Sequence, residues 1–216
     1  ILADKPTIID CVHEKFAQEY LEKLRSLINL KDICYIVVNH TEMDHTGALG
    51  LLLKETPNAQ ILSTKTAALF LKNILHRDVK GKAVEDGESF SLGNKQLKFI
   101  HAPYWHWPDT MFTYVEEDRA LFPCDGFATH FCDERLFDDR VDDFTEDFRH
   151  YFEHIMGSYR KKMLEAIEKI KSLDIRIIAP SHGPILRTDP WKYINAYKDW
   201  STPVRNPNKK LILVFY

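Results

Sequence analysis

Apolar residues recur along the chain in two rhythms. From His13 to Ile28 they fall at helical spacing, with Phe16, Tyr20, Leu21, Leu24 and Leu27 on one stripe. The continuous run Ile33–Val38 then reads as a buried strand, followed by a polar loop and a short helix from about Ala48 to Glu55. Ala59–Ser63 predicts a strand and Thr66–Leu75 a helix. Glu85-Asp86-Gly87 marks a turn before strands at Ser89–Leu92 and Gln96–His101. Met111–Val115 and Arg119–Pro123 predict two more strands around the acidic turn Glu116-Glu117-Asp118. A long amphipathic helix over Asp143–Leu173, interrupted near Gly157, precedes a short strand at Ile175–Ala179 and a last helix at Pro190–Trp200.

Strands and helices alternate at first, and later strands follow one another directly. That order suits two sheets packed together with helices outside, an α/β architecture. Ser201–Lys210, rich in proline and asparagine, reads as a linker, and Leu211–Tyr216 is a β-rich apolar run with no partner after it. The opening segment Ile1–Asp10 reads as the tail of one strand, a turn and another strand. Both ends therefore read as cuts within a longer protein, since natural termini are usually polar and loose.

With 216 residues, 44% of them hydrophobic, the chain supports one large core rather than two independent domains. A net charge of -3 gives no general attraction to nucleic acid or anionic lipid. The basic clusters Arg160-Lys161-Lys162 and Lys209-Lys210 read as solvated faces. No apolar run approaches the length of a membrane span, and no segment reads as a signal peptide. Cys11, Cys34, Cys124 and Cys132 form no Cys-x-x-Cys pair, and Cys34 sits where a buried thiol would; the default is a reducing, cytoplasmic setting.

The chemistry concentrates at strand ends. Asn39-His40-Thr41-Glu42-Met43-Asp44-His45-Thr46-Gly47 follows the Ile33–Val38 strand and carries four possible metal ligands, His40, Glu42, Asp44 and His45, with Gly47 to let the chain turn tightly. Imidazole and carboxylate together suit zinc, iron or manganese. His106, Asp125 and His182 each follow a predicted strand as well. Alone, any of these three has an ordinary reading as a packed histidine or a turn residue. Together with the first four they make seven ligands, too many for one tetrahedral ion and about right for two ions with a shared carboxylate. Two-metal sites hold their ions roughly 3.5–4 Å apart. Asp125, a short carboxylate on a tight turn, is the natural bridge.

These motifs resemble the metallo-β-lactamase fold, and more narrowly the diiron domain of the flavodiiron proteins. Hydrolases of the fold usually carry His-x-His-x-Asp-His in the first loop, and here Glu42 replaces the middle histidine. His106-Trp107-Pro108-Asp109-Thr110-Met111 and Pro180-Ser181-His182-Gly183-Pro184 are also similar to that family. The resemblance covers essentially the whole chain. It implies an αββα sandwich of two mixed sheets flanked by helices over residues 1–200, lacking its first strands. It further implies a linker at 201–210 and the start of a flavodoxin-like FMN domain at 211–216. Residue by residue, it assigns His40, Glu42 and His106 to one iron and Asp44, His45 and His182 to the other, with Asp125 bridging. In some relatives the histidine at position 45 swings off the metal and water replaces it.

The activity so implied is reduction of dioxygen to water, of nitric oxide to nitrous oxide, or of both, with electrons passed by FMN from rubredoxin or a similar donor. A head-to-tail homodimer would bring one subunit's flavin to the other's irons. Tyr151 is then a candidate catalytic residue, donating a hydrogen bond to the bound diatomic, and Trp107 a candidate flavin contact; core packing is the ordinary reading of each. Trp105 and Cys124 stand where the family pattern has other residues. The main alternative is a di-zinc hydrolase of the same fold, and a second is a metal-free binding module.

Overall fold

Alternation along neighbouring strands sets the layers of this molecule. The computed structural model describes residues 1–203. β1 (Thr7–Ile9), β2 (Tyr35–Val38), β3 (Gln60–Ser63) and β4 (Gly81–Ala83) form one sheet in that order, with every described pair parallel. Helices α1 (Ala17–Leu27), α2 (Met43–Thr46), α3 (Leu49–Glu55) and α4 (Lys65–Leu75) lie between its strands in sequence. The second sheet, β5 (Ser89–Ser91), β6 (Gln96–His101), β7 (Met111–Val115), β8 (Ala120–Phe122) and β9 (Ile177–Ile178), is antiparallel apart from the parallel β8–β9 pair.

Successive strand residues point to opposite faces. Ile36 and Val38 of β2 and Ile61 of β3 pack with Leu21, Leu49, Leu52 and Leu71 of the helices, while Val37 and Leu62 face Leu97, Phe99, Met111 and Val115 of the second sheet. On the far side, Ile100, Phe112, Tyr114 and Leu121 meet the helices that follow: α5 (Thr145–Tyr151), α6 (Arg160–Ile170) and α7 (Pro190–Ser201). Three apolar layers thus separate four layers of structure, the αββα sandwich. No helix among the described residues is long and apolar enough to cross a membrane.

Local chemistry explains several boundaries. Thr64 caps α4 by accepting from Ala67 N at 3.0 Å, and Asp189 caps α7, whose first residue is Pro190. The long helix expected over Asp143–Leu173 is broken earlier than Gly157. A π-helical turn at Phe152–Met156 and a 3-10 turn at Gly157–Tyr159 separate α5 from α6. The stripe expected on the first helix is also narrower, with Phe16 and Leu27 exposed. Phe16 belongs to a separate 3-10 turn, Glu14–Phe16, whose three-residue period takes it off the helix face. Cys34 precedes β2 and is half-buried rather than buried; all four cysteines are free thiols. Ser201 is the last residue of α7, and the run 211–216 lies outside the described residues.

One close contact ties two loops of the second sheet together. Trp105, wholly buried, lies against the backbone of Gly126 so tightly that an added Cβ there would meet its ring at 2.8 Å. Gly126→Ala should therefore destabilise the metal-free chain by ~1–3 kcal/mol in chemical denaturation. Cys132→Ser, at an exposed position, should stay within about 0.5 kcal/mol of wild type.

Candidate metal centre

Asn39 fixes the first loop before any ligand appears. Its backbone N–H donates to Asp10 Oδ1 at 2.7 Å, its side-chain amide donates to Phe122 O at 3.1 Å, and its Oδ1 accepts from Thr113 Oγ1 at 2.7 Å. One residue at the end of β2 thereby bonds to β7, to β8 and to the residue after β1. The expected loop then becomes a helical turn, α2. Thr46 Oγ1 donates to Thr41 O and Glu42 O, closing the turn locally. Gly47 follows in helical conformation, so it is needed for close approach rather than for a tight turn: a Cβ there would meet Glu14 N at 2.6 Å.

All seven predicted ligand residues converge, and they do so in two groups around Asp125. Asp125 Oδ2 lies 2.8 Å from His106 Nε2 and 3.5 Å from His40 Nε2, while Glu42 Oε2 stands 3.3 Å from His40 and 3.4 Å from His106. Asp125 Oδ1 lies 3.1 Å from His45 Nε2 and 3.3 Å from His182 Nε2, with Asp44 carboxylate oxygens 3.1 Å from His182 and 3.5 Å from His45. The two groups divide as His40, Glu42, His106 and as Asp44, His45, His182. In each, ligand atoms lie within 4.8 Å of one another.

Burial pushes the Asp125 carboxyl up, but the imidazoles of His106, His182 and His45 outweigh it and hold the group well below the usual carboxylate range. Burial opposes the charged forms of His182 and His40 too. Asp125 and Asp44 nevertheless push His182 up to about 10, and Asp109, Glu42 and Asp125 push His40 up to about 9. The unpartnered atoms test whether a cation fits. Asp44 Oδ1, His45 Nε2 and Asp125 Oδ1 are buried with no hydrogen-bond partner, which is costly unless something else satisfies them. These atoms suit a divalent cation in the Asp44, His45 and His182 group; in the other group His106 pairs with Asp125 and His40 with Glu42, a donor set of the same chemistry that suits a second.

The remaining expected residues lie at the rim. Tyr151, buried at the end of α5, sets its ring edge-on to His130 at 4.8 Å, and His130 faces His182 at 6.0 Å. A cavity of about 320 Å³ lined by His130, Cys132, Arg135 and His182 opens there. Trp107, half-buried, stands edge-on to His40 at 5.2 Å. His101 turns away to the carbonyl of Val84.

Two supporting residues, Asp109 and Asp10, carry no role in the sequence pattern, and a third, Cys124, stands beside a ligand as expected. Asp109 is buried with its Oδ1 3.6 Å from His40 Nδ1. Asp10 is buried behind Asn39, and burial pushes its carboxyl up to about 6. Cys124 Sγ lies 3.5 Å from His45 Nδ1. Asp10 follows β1 just as the ligands follow their strands, so its position was a usable signal. Asp109 was visible within the His106–Met111 motif.

Comparison with known proteins agrees with this geometry. The model of the ODP family beta lactamase matches residues 1–183. A type A flavoprotein of Rhodobacter capsulatus is 39% identical over 215 residues, covering 97% of this chain and 49% of that protein. A flavo-diiron protein of Clostridium acetobutylicum is 35% identical over 223 residues, covering 100% of this chain and 56% of that one. Among solved structures, the rubredoxin oxygen:oxidoreductase of Desulfovibrio gigas superposes with a TM-score of 0.90 at 27% identity, over 93% of this chain and 52% of that one. The flavodiiron protein of Giardia intestinalis gives 0.89 at 33% identity, over 92% and 50%. The chain thus spans about half the length, or less, of the curated relatives named above and of others such as a diflavin flavoprotein of Synechocystis, of which it covers 35%. Two ligand groups around one carboxylate on this sandwich, together with the family match over most of its length, place the chain in the ODP family of β-lactamase-like domains, among the flavodiiron proteins.

Proposed function

We propose that this chain is the diiron domain of an oxidoreductase that reduces dioxygen to water, nitric oxide to nitrous oxide, or both. Residues 1–200 would form that domain, 201–210 a linker and 211–216 the start of a flavodoxin-like domain carrying FMN. Rubredoxin or a similar protein would supply electrons to the flavin, and a head-to-tail homodimer would bring flavin and metal together. The observation that carries the reading is Glu42, whose carboxylate stands between His40 and His106 where hydrolases of the fold have an imidazole. Each ligand group then has two imidazoles, one carboxylate of its own and half of Asp125. Such a set is harder and more anionic than an imidazole-rich one, and it favours iron over zinc.

His40, Glu42 and His106 would hold one ion and Asp44, His45 and His182 the other, with Asp125 between them. When bound, the two ferrous ions supply one electron each to a diatomic. The chain's own contribution is positional. Asp109 backs the Nδ1 side of His40 and keeps its Nε2 turned toward Asp125. Tyr151, its phenol pushed up by burial and by nearby carboxylates, stays protonated and would donate a hydrogen bond to the bound diatomic. Trp107, half-exposed beside His40, would meet the flavin of a neighbouring subunit.

Purified chain reconstituted with ferrous iron should hold two irons, and Asp125→Ala should hold well under one by elemental analysis. Two tightly held zincs with ester-cleaving activity and no iron affinity would replace the redox reading with a hydrolytic one. Glu42→His should shift metal preference from iron toward zinc in competition binding; unchanged iron occupancy and gas reduction would remove the reason for preferring redox chemistry. Asp109→Asn should lower metal affinity about 10–100-fold by loss of support to His40, as measured by chelator competition.

A further inference from the structure

We propose that Trp105, Tyr197 and Trp200 form an electron relay that drains oxidising equivalents from the metal centre to the protein surface. The inference rests on the diiron reading above. Trp105 directly precedes His106, and its ring lies against Gly126, next to Asp125, so an oxidisable indole forms part of the wall behind the site. Its Nε1–H donates to Lys162 O at 3.0 Å. The ring of Tyr197 stacks on it with centroids 6.0 Å apart and planes 20° apart. Trp200 stands 6.0 Å beyond Tyr197, partly exposed, and lines a surface groove with Thr145, Glu146, Arg149 and His150. The gaps around this series are filled by Phe127, Phe148 and Phe152, which are far harder to oxidise. Among the described residues, Trp107 makes its ring contact with His40 and stands outside the series.

Electron counting supplies the need. Dioxygen requires four electrons to become water, and two ferrous ions lend one each, so turnover that outruns the flavin leaves the centre oxidising. One electron then passes from Trp105 to the centre, which is reduced by one unit. The indole radical cation keeps its proton on Nε1, hydrogen-bonded to the Lys162 carbonyl, and is refilled by one electron from Trp200 across Tyr197. The Tyr197 hydroxyl is buried with no acceptor for its proton, so the oxidising equivalent does not come to rest there. Trp200 has solvent to take its indole proton. The Arg149 guanidinium 4.7 Å above its ring is offset by Glu153 at 2.6 Å from Arg149. A soluble thiol returns one electron and one proton to Trp200, becoming half of a disulfide for each event.

The test exposes the full chain, loaded with ferrous iron, to oxygen without other reductant, and maps tryptophan oxygenation by peptide mass spectrometry. Oxygenation should concentrate on Trp200, fall to background in zinc-loaded protein and be suppressed by added thiol. Trp105→Phe keeps an aromatic ring in the core and leaves Trp200 as exposed as before, yet Trp200 oxygenation should drop to the zinc background. Trp200→Phe should move the damage inward to Trp105 and hasten iron loss. Trp200 oxygenation that is equal in Trp105→Phe and wild type, or equal with zinc and iron, overturns the relay. Iron content and oxygen uptake are read on the same samples. A chain that binds no iron or consumes no oxygen fails the diiron reading, whereas iron binding and oxygen uptake with Trp200 untouched defeat the relay alone.

Discussion

A single buried carboxylate, Asp125, holds this structure's chemistry together. Four imidazoles approach its two oxygens, from the loop after β2, from α2, from the β6–β7 loop and from the loop after β9. None of the four is a sequence neighbour of Asp125. They meet only when both sheets have formed and closed on one another, so folding the sandwich and assembling the site are nearly one event. The arrangement also fixes charge. An ionised carboxylate this deeply buried is costly unless cations or strong donors surround it. His40, His45 and His182, whose imidazoles the neighbouring carboxylates push up, fill that role by holding protons when no metal competes for their nitrogens.

Asn39 makes that closure geometrically exact enough to matter. It lies one residue before His40 and bonds to backbone or side chains from both sheets. A buried polar crosslink with every partner satisfied favours one register over its neighbours. Slipping β2 by one residue would break those bonds and exchange Val37 with Ile36 and Val38 between the two faces. The same residue thus sets the inter-sheet register and the launch point of the ligand loop.

Much of the site was legible because its residues obey one local rule, an imidazole or carboxylate within a few positions of a strand's end. His40, His106, Asp125 and His182 all follow that rule, and so does Asp10, which went unnoticed. What the sequence could not display were contacts across layers. Asp109 supports His40 through space, and no spacing rule connects the two. β4 was missed because Gly81-Lys82-Ala83 has no apolar alternation; it is a strand because β3 offers it an edge. The π-helical turn after Tyr151 was hidden for a similar reason. Its residues Phe152 and Met156 have ordinary helical character, and core packing rather than propensity selects the wider turn.

The two halves of the site are braced in similar ways. Behind His40 stands the carboxylate of Asp109, itself confined by complete burial; behind His45 stand the thiol of Cys124, a weak hydrogen-bonding group, and the buried carboxylate of Asp10. Each imidazole is therefore held between two buried carboxylates, Asp125 in front and Asp109 or Asp10 behind. Rotating either imidazole away from the centre would strand buried carboxylates on both of its sides. The two halves differ instead in what lies beside them: the open cavity borders His182, so the Asp44, His45 and His182 group has free space next to it while His40 is sealed in the core.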